Sequence, residues 1–477
     1  MNEMLKSKKL HCTLLYAISI FLVALFLSTH ASADAVDNLQ IMINNNAANG
    51  TNTIITHNYN SVNAKVIYLP NNAIIEGNGY NLQNISLCVD NSSNVYIHKV
   101  VFKNTTYVHD WWDENLFPIV NITGTGNNIT ISDCIIDNIR TWSVGIYIYP
   151  GNLSNIIIKN TTVNNTDDHG YMIFSRSTNP KITNISFVND SANQNGLYVR
   201  QNAWPVGFDL GEIEQNTKNY TLQITNMLVD NCSASYNWES GFHIEHGIYT
   251  QNFTIRNCKS NYNGQKPVPD YGAGYTLCSP VNTKNNIANS NYIGYYLYDG
   301  IYASNSTTDR SIGLNNNTDA NNKLYGLFIK GSSKHLNTAS INICDHYSQN
   351  AGYLGSFVYQ IHNLTFKNVS IMNPKSTKSY SVLFQRLYDS TINMNYVNIN
   401  NKSPVGVLVM TSANDTFSGN YYHLGDTALK VQSIDTNSNT LPIINIKDTN
   451  VTSQKNGIQI FPVIGSITHV NNATIHF

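Results

Sequence analysis

Short runs in which apolar and polar residues alternate, each carrying a turn-forming asparagine, return along most of the chain. Val95 to Asn104, Ile129 to Asn138, Ile156 to Asn165, Leu222 to Asn231 and Leu364 to Ile371 all follow this rhythm. Side chains two apart share one face of a strand, so each run predicts a pair of short half-buried strands turning at Asn. A second phrase alternates with the first: Gly145-Ile146-Tyr147-Ile148, Gly170-Tyr171-Met172-Ile173, Gly196-Leu197-Tyr198-Val199, Gly241-Phe242-His243-Ile244, Gly274-Tyr275-Thr276-Leu277, Gly294-Tyr295-Tyr296-Leu297 and Gly326-Leu327-Phe328-Ile329. Residues one and three places after each Gly are expected to point inward, and those two and four places after it outward.

The glycines recur every ~20 to ~45 residues, the spacing of solenoid coils that carry loops of unequal size. A β-sandwich would need antiparallel hairpins with two-residue turns, and that rhythm is missing. Asn suits a parallel solenoid, because it accepts left-handed backbone angles and stacks into hydrogen-bonded ladders. The pattern therefore predicts an all-β chain, a right-handed parallel β-helix, since parallel crossovers are right-handed. Val36 to Asn44 reads as a short amphipathic helix able to close the open end of the coil.

Lys6, Lys8 and Lys9, the apolar run Leu14 to Leu27 and the small residues Ala31-Ser32-Ala33 read as a signal peptide over 1–33. The mature domain is then 34–477, one β-helix with inserted loops near 105–117 and 201–219, exported to the extracellular space, the cell surface or the periplasm. No later apolar run is long enough to span a membrane. Across 477 residues only 12% are charged and the net charge is -1, which argues against nucleic-acid partners; the composition suits neutral, hydroxyl-rich partners without identifying one, and a polysaccharide or other glycan is the expected partner. Beyond the leader, six cysteines remain: Cys88, Cys134, Cys232, Cys258, Cys278 and Cys344. An exported chain permits disulfides, but Cys232 and Cys258 fall at equivalent places in two phrases, as small buried residues of a ladder would.

Together the helix, Ile54-Ile55 and the phrase Ile75-Glu76-Gly77-Asn78-Gly79-Tyr80-Asn81-Leu82 resemble the start of the pectin-lyase-like β-helix superfamily. Ser240-Gly241-Phe242-His243-Ile244-Glu245, with Asn263-Gly264-Gln265 and Tyr271-Gly272-Ala273-Gly274-Tyr275, is similar to disaggregatase-related β-helix proteins of microbial surfaces. The resemblance implies the fold and an association with polysaccharides. It departs from the polygalacturonase branch, whose paired aspartates and His-Gly lie on different coils, because Asp167-Asp168-His169-Gly170 runs together here. The aspartate cluster that holds calcium in pectate lyases is not recognisable either, so no metal ligands are assigned and calcium stays open.

Stacking the Gly phrases predicts two outward columns, Tyr147, Met172, Tyr198, His243, Thr276, Tyr296, Phe328 and Tyr149, Phe174, Arg200, Glu245, Cys278, Tyr298, Lys330. Arg200, His243 and Glu245 then converge in a chain that is otherwise nearly uncharged, with Asp168 and Glu239 at one edge and the insertion bearing Trp204, Asp209, Glu212 and Glu214 at the other. For a uronate lyase, Arg200 would neutralise the sugar carboxylate and His243 or a tyrosine would take the adjacent proton. For a glycoside hydrolase, the candidate carboxyls are Asp168, Glu239, Glu245 and Asp209. Tyr198, Trp204, Tyr296 and Tyr298, and Trp111 and Trp112 in the early insertion, are candidate sugar-stacking residues. Two functions stay open: an enzyme, lyase or hydrolase, expected to act on an acidic polysaccharide, and a noncatalytic surface or matrix protein that binds glycans or mediates adhesion through the same aromatic face.

Overall fold

The computed structural model describes residues 35–106, 118–140, 143–197, 204–213, 221–245, 247–265, 272–299, 311–331, 340–400, 403–432, 443–461 and 467–476. The expected leader and the candidates Trp111, Trp112, Tyr198 and Arg200 lie outside these residues. The described chain holds one helix, 35–48, and 38 strands joined in one parallel sheet. Val36, Leu39, Ile43 and Ala47 form the buried stripe of the helix and join the core of the coils that follow. No helix among the described residues is long and apolar enough to cross a membrane.

Each strand pairs with its counterpart one coil further on, so the chain winds as a right-handed parallel β-helix. In the middle of the molecule a strand pairs with the third one after it; from the strand Leu354–His362 onward it pairs with the second. Coils of three strands thus give way to coils of two longer ones. The turns are made where Asn takes left-handed angles, as at Asn138, Asn165, Asn189 and Asn231, with φ between 52° and 58°. Many of these turn residues also join side chain to side chain between coils, for example Asn189 Nδ2 to Asn160 Oδ1 at 3.1 Å and Asn231 Nδ2 to Asn189 Oδ1 at 2.8 Å.

Inside, a second asparagine ladder is sealed from solvent. The backbone N–H of Asn195 donates to Asn237 Oδ1, that of Asn237 to Asn263 Oδ1, that of Asn263 to Asn291 Oδ1 and that of Asn291 to Asn322 Oδ1, at 2.9 to 3.1 Å. The side-chain amides of Asn195, Asn237 and Asn263 donate to the same oxygens. This ladder explains the glycine phrase. A Cβ on Gly170, Gly207 or Gly274 would lie 2.7 to 2.8 Å from a ladder Nδ2 and 2.6 to 2.8 Å from the carbonyl oxygen of the next coil's glycine. Glycine is required there for close approach, not for an unusual φ.

The residue after each of these glycines enters an aromatic stack, Tyr171, Phe208, Phe242, Tyr275 and Tyr295, with centroids 4.4 to 5.0 Å apart and planes within 8°. All five are 0 to 1% exposed, and each contact adds about 0.5–1.5 kcal/mol beyond the area it buries. Cys134, Thr161, Asp190, Cys232, Cys258, Asn286, Asn317 and His346 fill one inward turn column, each preceding strands that pair in register. The Cys232 N–H donates to Cys258 Sγ at 3.4 Å, and all six cysteines are free thiols. Cys134, Cys232 and Cys258 act as small ladder residues.

One register departs from expectation. The coil after Tyr171–Ser175 continues in the strand Phe208–Ile213, which falls inside the segment expected to be a loop over 201–219. Its phrase is Gly207-Phe208-Asp209-Leu210, not Gly196-Leu197-Tyr198-Val199. Gly196 has φ 76° and follows Asn195 of the buried ladder, so it belongs to the turn.

Replacing Asn237 by Ala leaves the N–H and amide of Asn195 without their acceptor, and chemical denaturation should show a loss of at least about 2 kcal/mol. Asp190 gives a pH test. Burial pushes its carboxyl up to about 8, against hydrogen bonds from the Thr161 and Val188 N–H groups. Because an unfolded Asp titrates near ~3.9, the native state holds the extra proton between these values. Stability from this group is complete below about pH 4 and falls as pH rises toward 8, by at most ~1.4 kcal/mol per unit. Asp190→Asn, matching Asn286 and Asn317 in the same column, should flatten the decline between pH 5 and 7.5 in denaturation curves.

Candidate functional site

Three adjacent strands of one face build the site: Tyr171–Ser175, Phe208–Ile213 and Phe242–Ile244. Their register aligns Tyr147, Met172, Asp209, His243, Thr276, Tyr296 and Phe328 in the first outward column. Asp209 therefore stands between Met172 and His243, the place expected for Tyr198. Between Met172 and Phe174 the pairing slips by one residue, so Met172 meets Asp209 while Phe174 meets Glu212. Asp209 lies on the side of the strand opposite inward Phe208, the bulge at Gly211 brings Glu212 to that side too, and Ile213 packs back on the core.

Carboxyls and imidazoles alternate across the coils. Asp168 Oδ1 lies 2.6 Å from His169 Nδ1, and His169 Nε2 lies 3.7 Å from Asp209 Oδ2. Asp209 Oδ1 is 3.7 Å from His243 Nδ1, and His243 Nε2 is 3.5 Å from Glu245 Oε2. The side chains of Asp168 and Glu245 are each 17% exposed, those of His169 and His243 11% and 13%, and that of Asp209 is fully buried. Asp209 Oδ2 meets no hydrogen-bond donor among the described residues, and Glu212 can hydrogen-bond with this carboxyl only when one of the two acids is protonated.

Local structure brings His169 to this place. Thr166 accepts a place in the buried ladder through Asn195, and its Oγ1 donates to the carbonyls of Asp168 and His169, so the tight turn before Gly170 is braced. The residue before one Gly then meets the residue two places after the next coil's Gly. The same step that brings His169 to Asp209 brings Ser240 Oγ to Thr276 Oγ1 at 2.9 Å.

The electrostatics follow from burial among acids. Burial, then the charge and hydrogen bond of Glu212 and the charge of Glu245, hold the Asp209 carboxyl well above the usual carboxylate range, opposed by the Gly211 N–H. For His169 burial works against the imidazolium, but the charge and hydrogen bond of Asp168, with Glu212, outweigh it and raise its pKa. Burial, and then the charges of Glu245 and Glu239, push the Cys278 thiol up, so this sulfur is not a poised nucleophile.

The remaining candidates scatter. Glu239 is 4% exposed, and its N–H donates to the Pro205 carbonyl, which sets it beneath the surface near Cys278. Tyr296 is 5% exposed, packed with Ala273 and Ile293 and stacked on Phe328 at 5.0 Å. Packed between Thr276 and Phe328 at that exposure, its ring leaves little face open to a sugar. Tyr298 is half-buried, with the Lys330 ammonium 5.8 Å above its ring. Trp204 is 48% exposed. Sequence reasoning passed over His169 as a site member, and read Glu212 only as part of a loop. Gly207-Phe208-Asp209-Leu210 beside Gly241-Phe242-His243-Ile244 was the available signal. An exposed aromatic pair also went unread: Tyr236 and Tyr262 stack at 4.8 Å on adjacent coils.

No protein-family model matches the chain, and no curated protein sequence matches it. Solved structures do. The A-module of a mannuronan C-5 epimerase from Azotobacter vinelandii is 13% identical, with a TM-score of 0.42 over 91% of this chain and 94% of that one. The catalytic domain of an α-1,3-glucanase is 13% identical, with a TM-score of 0.35 over 89% and 68%. A surface adhesin of Streptococcus pneumoniae is 10% identical, with a TM-score of 0.31 over 94% and 89%. The single parallel sheet of this chain is a right-handed parallel β-helix, the fold its sequence leads one to expect.

Proposed function

We propose that the protein is an exported enzyme that hydrolyses a polysaccharide in the groove lined by Asp168, His243 and Glu245. One observation carries this reading: two partly exposed carboxyls, Asp168 and Glu245, each lie beside an imidazole, and the two imidazoles flank the same buried Asp209. Glycoside hydrolysis needs two such carboxyls, one to protonate the leaving oxygen and one to act on the sugar or on water. Glu245 is the proton-transfer carboxyl, and His243 holds it from behind with buried Asp209 at its other nitrogen. Asp168 is the second carboxyl, oriented by His169. Apo contacts of 3.5 to 3.7 Å are of the kind that tighten when substrate closes the site.

Hydrolysis is favoured over elimination because the partly exposed acids Asp168, Glu212 and Glu245 lie in this region. Their charge disfavours a uronate chain, so a neutral glycan is the expected substrate. The exposed Tyr236 and Tyr262 pair and Trp204 supply apolar surface for pyranose faces near the same coils. The leader expected at 1–33 is the support for export.

The test is incubation of the mature protein with neutral and acidic polysaccharides, following reducing ends and the ultraviolet absorbance of unsaturated uronate. Reducing ends from a neutral glycan without the ultraviolet signal are expected, and Glu245→Gln should lower kcat by about 10²–10⁴-fold. Unsaturated product would replace this reading with a lyase. Glycan binding with no cleavage of any substrate would replace it with a noncatalytic surface protein.

A further inference from the structure

We infer that His169, Asp209 and Glu212 form a binding site for a divalent cation of the zinc class. Nothing in this inference depends on which bond the neighbouring groove cleaves. The ligand atoms of the three residues lie within 4.8 Å of one another. His169 Nε2 and Asp209 Oδ2 are 3.7 Å apart, close to the ~3.4 Å edge of a tetrahedron with metal bonds of about 2.1 Å. Glu212 stands on the bulged strand end and is half-buried, so a rotation of its side chain closes the third edge.

Two further features point to a cation. Asp209 is fully buried and its Oδ2, which meets no hydrogen-bond donor among the described residues, faces the His169 ring nitrogen. A buried carboxyl oxygen left in that state is costly, and a cation between it and the imidazole removes the cost. Second, Asp168 Oδ1 sits 2.6 Å from His169 Nδ1, so in a metal-bound site Nδ1 would keep its proton and Nε2, on the side of Asp209, would face the ion. Metal-ligating histidines are held this way by a carboxylate behind them. One imidazole and two carboxyls suit zinc or a similar borderline ion; calcium takes six to eight oxygens and no nitrogen. Three protein ligands leave a fourth position, on the partly exposed side of Glu212.

The test is titration of chelator-stripped full-length mature protein with Zn²⁺, and with Co²⁺ for its visible absorption, without any glycan. A single ion per chain, with the intense cobalt bands of four- or five-coordination, is expected. Glu212→Gln and His169→Gln should abolish that spectrum, and Asp168→Asn should weaken binding about 10–100-fold. His362→Ala, a remote histidine beside Asp389, should leave it unchanged. Glu212→Gln lies at a half-buried position, and an unchanged circular dichroism spectrum and melting curve confirm that it folds. Absence of a stoichiometric ion, or equal binding by wild type, Glu212→Gln and His169→Gln, overturns the site. Either result is read without an activity assay, so inactivity toward glycans and absence of metal remain separate outcomes.

Discussion

In-register stacking of parallel coils is the constraint on which the rest of the molecule depends. Each inward side chain meets the residue at the same position one coil away, so a polar group inside finds its partners in its own repeat and in the backbone of the adjoining coils. Asn195, Asn237, Asn263, Asn291 and Asn322 meet that condition, because the amide both donates and accepts along the axis. The glycines beside them, the parallel aromatic stack and the small thiols of the turn column all follow from the room that this ladder leaves.

The same repetition builds the candidate site. A column position is a place where side chains from distant parts of the sequence must become neighbours. Asp209 and His243 are adjacent because their strands pair in register, and His169 reaches Asp209 by the step that elsewhere joins Ser240 to Thr276. On most coils these outward positions hold Tyr, Thr, Met or Phe, and the ladder inside is indifferent to the choice. Acids and imidazoles could therefore be placed at these positions without altering the core beneath them.

Much of the fold was legible in the sequence, since Asn turns, the Gly phrase and the capping helix each have a local cause. The inward and outward alternation after Gly was legible as well, down to the inward Tyr171, Phe242, Tyr275 and Tyr295. What could not be read was which glycine is structural. Gly196 and Gly207 look alike as letters, and only the contact of a glycine with the ladder amide tells strand from turn. That single ambiguity displaced Asp209 from the column and left Glu212 in a loop. The bulge that turns Glu212 outward has no signature other than Gly211, so the acid cluster emerges only from the pairing of three strands. Tyr296 failed as a sugar platform for a related reason: exposure depends on what the neighbouring coils put beside a ring, and alternation is silent on that.

The glycine column also sets how such a chain can change over generations. A glycine here is pressed by the carbonyl of the following coil, so it cannot vary alone, and neither can the asparagine above it. Material added at the outer turns leaves both untouched, whereas material added within a rung would misalign every coil beyond it. Lengthening by duplication of an entire turn preserves each contact at once. The heritable unit of this architecture is thus the coil, and families built on it should differ by whole rungs and by decorations at the corners, while the axis stays the same.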